Sequence, residues 1–83
     1  MSGSDTVHGV VEKVVRDGRH GPYAVALSSD ARRLNITFSL NPEHWREETH
    51  PEEGSFVVLS HLSKKRAGWR AARGRFLKPS DEQ

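Results

Sequence analysis

The chain has 83 residues, a formal net charge of +2 and no cysteine, with 34% hydrophobic and 29% charged residues. That length accommodates one small domain, burying about 60% of the surface its unfolded form exposes, and the lack of cysteine excludes a disulfide framework and a thiolate metal site. No apolar run approaches the roughly 18 residues of a membrane span, and the opening "MSGSDTVHG" lacks the charged start and apolar run of a secretion signal, so a cytoplasmic protein that meets no membrane is expected.

In chain order, "VHGVVEKVV" (Val7 to Val15) is rich in β-branched residues and predicts a long first strand, in which Gly9 marks a place for a bend or bulge. Asp17-Gly18 and Gly21-Pro22 then signal a turn, and "YAVALS" (Tyr23 to Ser28) completes a hairpin. After a second turn, "SSDARR", the run "LNITFSL" alternates strictly, with Leu34, Ile36, Phe38 and Leu40 on one side and Asn35, Thr37 and Ser39 on the other. Asn41-Pro42 before "EHWREE" supplies an N-cap, a proline at the first helical position and an acidic first turn, which predicts a short helix limited by Pro51. Trp45 within it is expected to plug an end of the core.

A fourth strand is expected over about Ser55 to Leu62, with either Phe56 and Val58 or Val57 and Leu59 facing inward. "SKKRAG" reads as a mobile basic loop, and a fifth strand follows from about Trp69 to Leu77. Five strands and one short helix in so short a chain are expected to curl into an all-β barrel, because closure removes exposed sheet edges. One domain is expected over residues 1–83, ordered from about residue 6 to 79, with "PSDEQ" a loose tail.

Charge is segregated along the chain. Glu43, Glu47, Glu48, Glu52 and Glu53 gather in the middle, whereas Lys64, Lys65, Arg66, Arg70, Arg73, Arg75 and Lys78 gather near the end. If the fold keeps these sets apart, the field steers an anionic partner to one side. On the last strand, an inward set of Ala72, Gly74 and Phe76 sends Trp69, Arg73 and Arg75 outward in a row stepped by about 6.5–7 Å per two residues. The other reading places Trp69 in the core and leaves the arginines as a solvated face.

The order of motifs resembles the cold-shock domain, a member of the OB-fold class that binds single-stranded nucleic acid. The resembling pieces are "HGVVEKVV", "GPYAVA", "NITFSL", "PEEGSFVVL" and "AGWRAARGRFLKP", which together span about Val7 to Pro79 as a pattern of strands and turns. The resemblance implies a five-stranded OB-type barrel with base-stacking aromatics on the second and third strands. Tyr23 and Phe38 stand in that role here, while Asn35 and Thr37 occupy positions where the family presents aromatic and histidine side chains. Phe38 shares its phase with Leu34 and Ile36, so it reaches a base only where the strand bends.

Stacking contributes about 1–3 kcal/mol per base and a basic groove adds a salt-dependent attraction, so a binder presents both. The expected function is accordingly a non-enzymatic module for single-stranded RNA or DNA. Lys64, Lys65, Arg66, Arg70, Arg73 and Arg75 would hold the backbone, with Trp69, Tyr23 and Phe38 as stacking groups. The alternative is an OB-type adaptor that docks an acidic protein of the transcription or translation machinery. The five histidines show no paired ligand spacing, the glutamates no pair in an apolar pocket, and the serines no nucleophile elbow, so no metal, cofactor or catalytic residue is expected.

Overall fold

The alternating runs become five strands: β1 (Val7–Val15), β2 (Tyr23–Ser28), β3 (Asn35–Ser39), β4 (Phe56–Lys65) and β5 (Gly68–Phe76). They are seen in a computed structural model that describes residues 6–30, 33–66 and 68–79. The ends expected to be loose, residues 1–5 and 80–83, lie outside the described residues, as does part of the β2–β3 turn. The strands form a closed barrel in the order β1-β2-β3-β5-β4, with β4 paired back to β1. Every neighbouring pair is antiparallel except β3 and β5, which run parallel. This is the all-β five-stranded barrel that the sequence predicts, and its strand order is consistent with an OB-type fold.

The core alternates large and small side chains, as a narrow barrel requires. Val11, Ile36, Phe38, Leu40, Val57 and Leu59 fill it, and Ala24, Ala26 and Ala71 leave them room. Val57 and Leu59 face inward, which resolves the ambiguity of β4 and leaves Phe56 60% exposed. Ser28, a buried polar residue, is satisfied: its hydroxyl donates to Asp30 Oδ1 at 3.0 Å and accepts the Leu34 N–H at 2.7 Å. The irregularity expected near Gly9 in β1 falls instead between Val11 and Lys13, where the β1–β2 register shifts. Gly9 serves a different end, since a Cβ there would lie 2.9 Å from the Leu27 carbonyl oxygen of the adjacent strand.

The short helix between β3 and β4 is not seen. Asn41 does begin a turn, its carbonyl accepting from both His44 N–H at 2.8 Å and Trp45 N–H at 2.9 Å. A second helical bond would need Arg46 N–H to reach the Pro42 carbonyl, four residues back. It goes instead to the Gly74 carbonyl at 3.1 Å, while Gly74 N–H donates to His44 at 2.9 Å. The local signals for a helix are overridden by this ladder to β5, recorded as a parallel bridge between Trp45 and Gly74.

The ladder delivers Trp45 to the barrel end, 2% exposed, as the plug the sequence suggests. Its ring stacks on Phe38 with centroids 5.7 Å apart and meets Phe76 edge-on at 5.0 Å. The indole N–H donates to the Thr49 carbonyl at 2.7 Å. Gly74 makes this packing possible, because a Cβ there would stand 3.0 Å from Leu59 Cδ2 and 3.2 Å from the indole. Among the described residues, no helix is long and apolar enough to cross a membrane.

Candidate functional site

The β4–β5 hairpin keeps one register from Val57↔Phe76 to Lys65↔Gly68, with only the His61 and Ala72 positions unpaired in the ladder. There both strands change phase. On β4 the inward set passes from Val57 and Leu59 to Leu62, and on β5 from Trp69 and Ala71 to Gly74 and Phe76. Each strand therefore exposes two consecutive residues or nearly so, Ser60-His61 and Ala72-Arg73. His61 absorbs the change with a φ of 58°, a left-handed conformation that costs a side-chain-bearing residue about 1–2 kcal/mol.

This phase change divides the basic stretch. Trp69 lies on the inward phase, half-buried against the core, not in an outward row with Arg73 and Arg75. Lys64 is paired with it across the hairpin and holds its Nζ 5.6 Å from the Trp69 ring centroid. The expected mobile loop is shorter than its sequence suggests: Ser63, Lys64 and Lys65 belong to β4, and the strands close at Lys65↔Gly68. Arg66 is exposed at the turn, and Ala67 lies outside the described residues.

Arg70 points outward and pairs with Thr37 of β3 and Ser63 of β4. With Ser39, His44 and Lys65 it borders a shallow depression on the β3–β5–β4 surface. Three and five residues further along, Arg73 and Arg75 line a different groove of about 220 Å³, together with Thr6, Arg46, Val58, Ser60 and Gly74. No carboxylate is among the described residues that line it. His44 borders the first depression and Arg46 the second groove, so the segment that bridges to β5 lies between them. That segment is fastened once more by His44, whose Nδ1–H donates to the Ala72 carbonyl at 2.8 Å.

The aromatic candidates separate as well. Phe38 is fully buried under Trp45, so the strand does not bend to expose it and it belongs to the core rather than to a stacking surface. Tyr23 is half-buried at the start of β2, and its ring lies close over Gly18 of the first turn, where a Cβ would meet two ring carbons at 3.0 Å. Sequence reasoning missed two residues. Phe56 is the exposed large hydrophobic residue of the described chain, and only the choice of inward pair on β4 could have exposed it. Arg46, embedded in an acidic stretch of sequence, is carried to Arg73 and Arg75 by the Trp45–Gly74 bridge, for which no local signal exists.

The acidic residues do not form a separate face. Glu47 Oε2 accepts the Phe76 N–H at 3.2 Å and so sits at the end of β5, whereas Glu52 and Glu53 share a pocket with Val14 and Arg16 at the end of β1. The division of charge read from the sequence is thus only partly kept in three dimensions. Among the described residues, no three histidine or carboxylate side chains gather as metal ligands would. No family model matches the chain, and neither a curated protein nor a solved structure matches it, so the functional reading rests on the barrel and its surface alone.

Proposed function

We propose that the protein is a non-enzymatic OB-type module that binds single-stranded nucleic acid in the cytoplasm, with the cold-shock-like order of its strands as the scaffold. The observation that carries this reading is the groove in which Arg46, Arg73 and Arg75 converge with the hydroxyl residues Thr6 and Ser60 and with no lining carboxylate. Guanidinium groups suit phosphate because their donors form a planar fork that matches its oxygens, and hydroxyls add neutral donors to the same backbone. Arg70 and Lys65 extend the positive surface towards the hairpin turn, where Arg66 is exposed.

Electrostatic attachment of this kind leaves a measurable signature in salt. With about four phosphates neutralised, log K against log salt should fall with a slope near roughly −3 for a single strand. Titrating a labelled oligothymidylate and an oligouridylate at several salt concentrations measures that slope. Binding that is absent at low salt, or that does not weaken as salt rises, overturns the reading.

A further inference from the structure

The outward residues beside the arginine groove form a regular grid. Register pairs Arg75 with Val58 and Val58 with His8, while Arg73 pairs with Ser60. One step along the strands, Phe56 pairs with Val10 and accepts the Leu77 N–H at 3.0 Å. Phe56 and Val58 lie on the same face of β4, about 7 Å apart as alternate residues of a strand, with Val58 buried beneath the arginine groove that it lines and Phe56 open to solvent. One end of this surface is therefore cationic, with Arg46, Arg73 and Arg75. The other carries an aromatic ring 60% open to solvent and flanked by the partly exposed Val10 and Leu77.

We infer that the strand crosses the β1–β4–β5 surface, with phosphates in the groove of Arg46, Arg73 and Arg75 and a base stacked on Phe56. This rests on the nucleic-acid reading above and names the path and the aromatic platform. The β2–β3 surface is the usual ligand face of OB folds, but here it lacks the means. Its outward residues are Tyr23, Val25, Leu27, Asn35, Thr37 and Ser39, none of them cationic, and the one ring among them, Tyr23, already lies over Gly18. Stacking needs an open π-face next to a track of positive charge. On the β1–β4–β5 surface both occur within two residues of each other along β4, and charge complementarity between the guanidinium groups and a phosphate backbone selects nucleic acid as the occupant.

The test is fluorescence anisotropy of a labelled oligothymidylate with the unmodified chain, Phe56→Ala, Phe56→Trp, Tyr23→Ala and Arg73→Ala, each checked for the native melting transition. Phe56→Ala is expected to weaken binding roughly 5- to 150-fold without changing the salt slope, which is how a lost stack behaves. Phe56→Trp should retain or increase affinity, and Tyr23→Ala should lose less than Phe56→Ala. Arg73→Ala should flatten the slope by about 0.7, one phosphate's worth for a single strand. If the unmodified chain binds no oligonucleotide at low salt, the nucleic-acid reading falls and this path with it. If it binds and Phe56→Ala binds equally well, the path alone is overturned and the exposed ring belongs to a protein contact.

Discussion

The two halves of β5 share a composition rich in arginine and small residues but do different work. In the first half, Trp69 to Ala71 runs parallel to β3, and the outward Arg70 sits over Thr37 on an open surface. In the second, Gly74 is sandwiched between Leu59 and Trp45, and the backbone is held by the segment His44 to Arg46 on one side and by β4 on the other. The first half carries a large ring that is only partly covered, whereas at Gly74 in the second an added carbon would press on Leu59 Cδ2 at 3.0 Å and on the indole at 3.2 Å. A strand's sequence pattern thus describes its chemistry, but its neighbours decide how tightly each position is specified.

Breaking the tight half should cost most. Trp45→Ala removes the ring that covers Phe38 and Phe76 and closes the barrel end, and urea melts should show about 3–5 kcal/mol lost. A smaller loss would mean that the end of the barrel collapses onto the cavity. Gly74→Ala attacks the same contact from the other side. Its Cβ would meet Leu59 Cδ2 at 3.0 Å and the indole at 3.2 Å, so a loss of about 1–3 kcal/mol is expected from overpacking. Combining the two should cost less than their sum, because alanine at 45 removes the ring that crowds the new methyl.

The junction between the halves can be sharpened instead of broken. His61 is exposed and holds a φ of 58°. Glycine adopts that conformation without a Cβ penalty but has more freedom to lose on folding. His61→Gly is therefore expected to stabilise by about 0.5–1 kcal/mol, whereas the β-branched His61→Val should destabilise by about 1–2 kcal/mol. Equal effects of the two substitutions in thermal melts would show that the phase change does not depend on this backbone angle.

What the sequence disclosed and what it concealed divides along the same line. Runs rich in β-branched and apolar residues, strictly alternating in "LNITFSL", placed the five strands, and the Asp17-Gly18 and Gly21-Pro22 signals placed the first hairpin, because these features depend on near neighbours. The facing of Trp69 could not be read, since the period of two fails at Ala72 in a strand whose partner fails at His61. Neither residue type announces that failure. The helix expected from Asn41-Pro42 lost to hydrogen bonds with a residue some thirty positions away, and those same bonds carried Arg46 into the groove. Long-range ladders carry no local signature, which is why the composition of the site was legible as basic while its membership was not.

The open half supplies the smallest and most discriminating test. Lys64 stands over the Trp69 ring at 5.6 Å, within the range where an ammonium is attracted by the ring's negative face. Both residues border solvent, so the contact should contribute only about 0.5–1 kcal/mol, and Lys64→Met should lose that much while keeping an apolar stem over the ring. Trp69 fluorescence should shift on the substitution, with Trp45 as the buried reference in its closed barrel end. Because Lys64 lies over Trp69 and away from the residues lining the arginine groove, Lys64→Met should weaken oligonucleotide binding much less than Arg73→Ala does. If Lys64→Met instead weakened binding as much as Arg73→Ala, the ligand would have to engage the hairpin turn and the first half of β5 as strongly as the second, and the contrast between the halves would be one of packing alone.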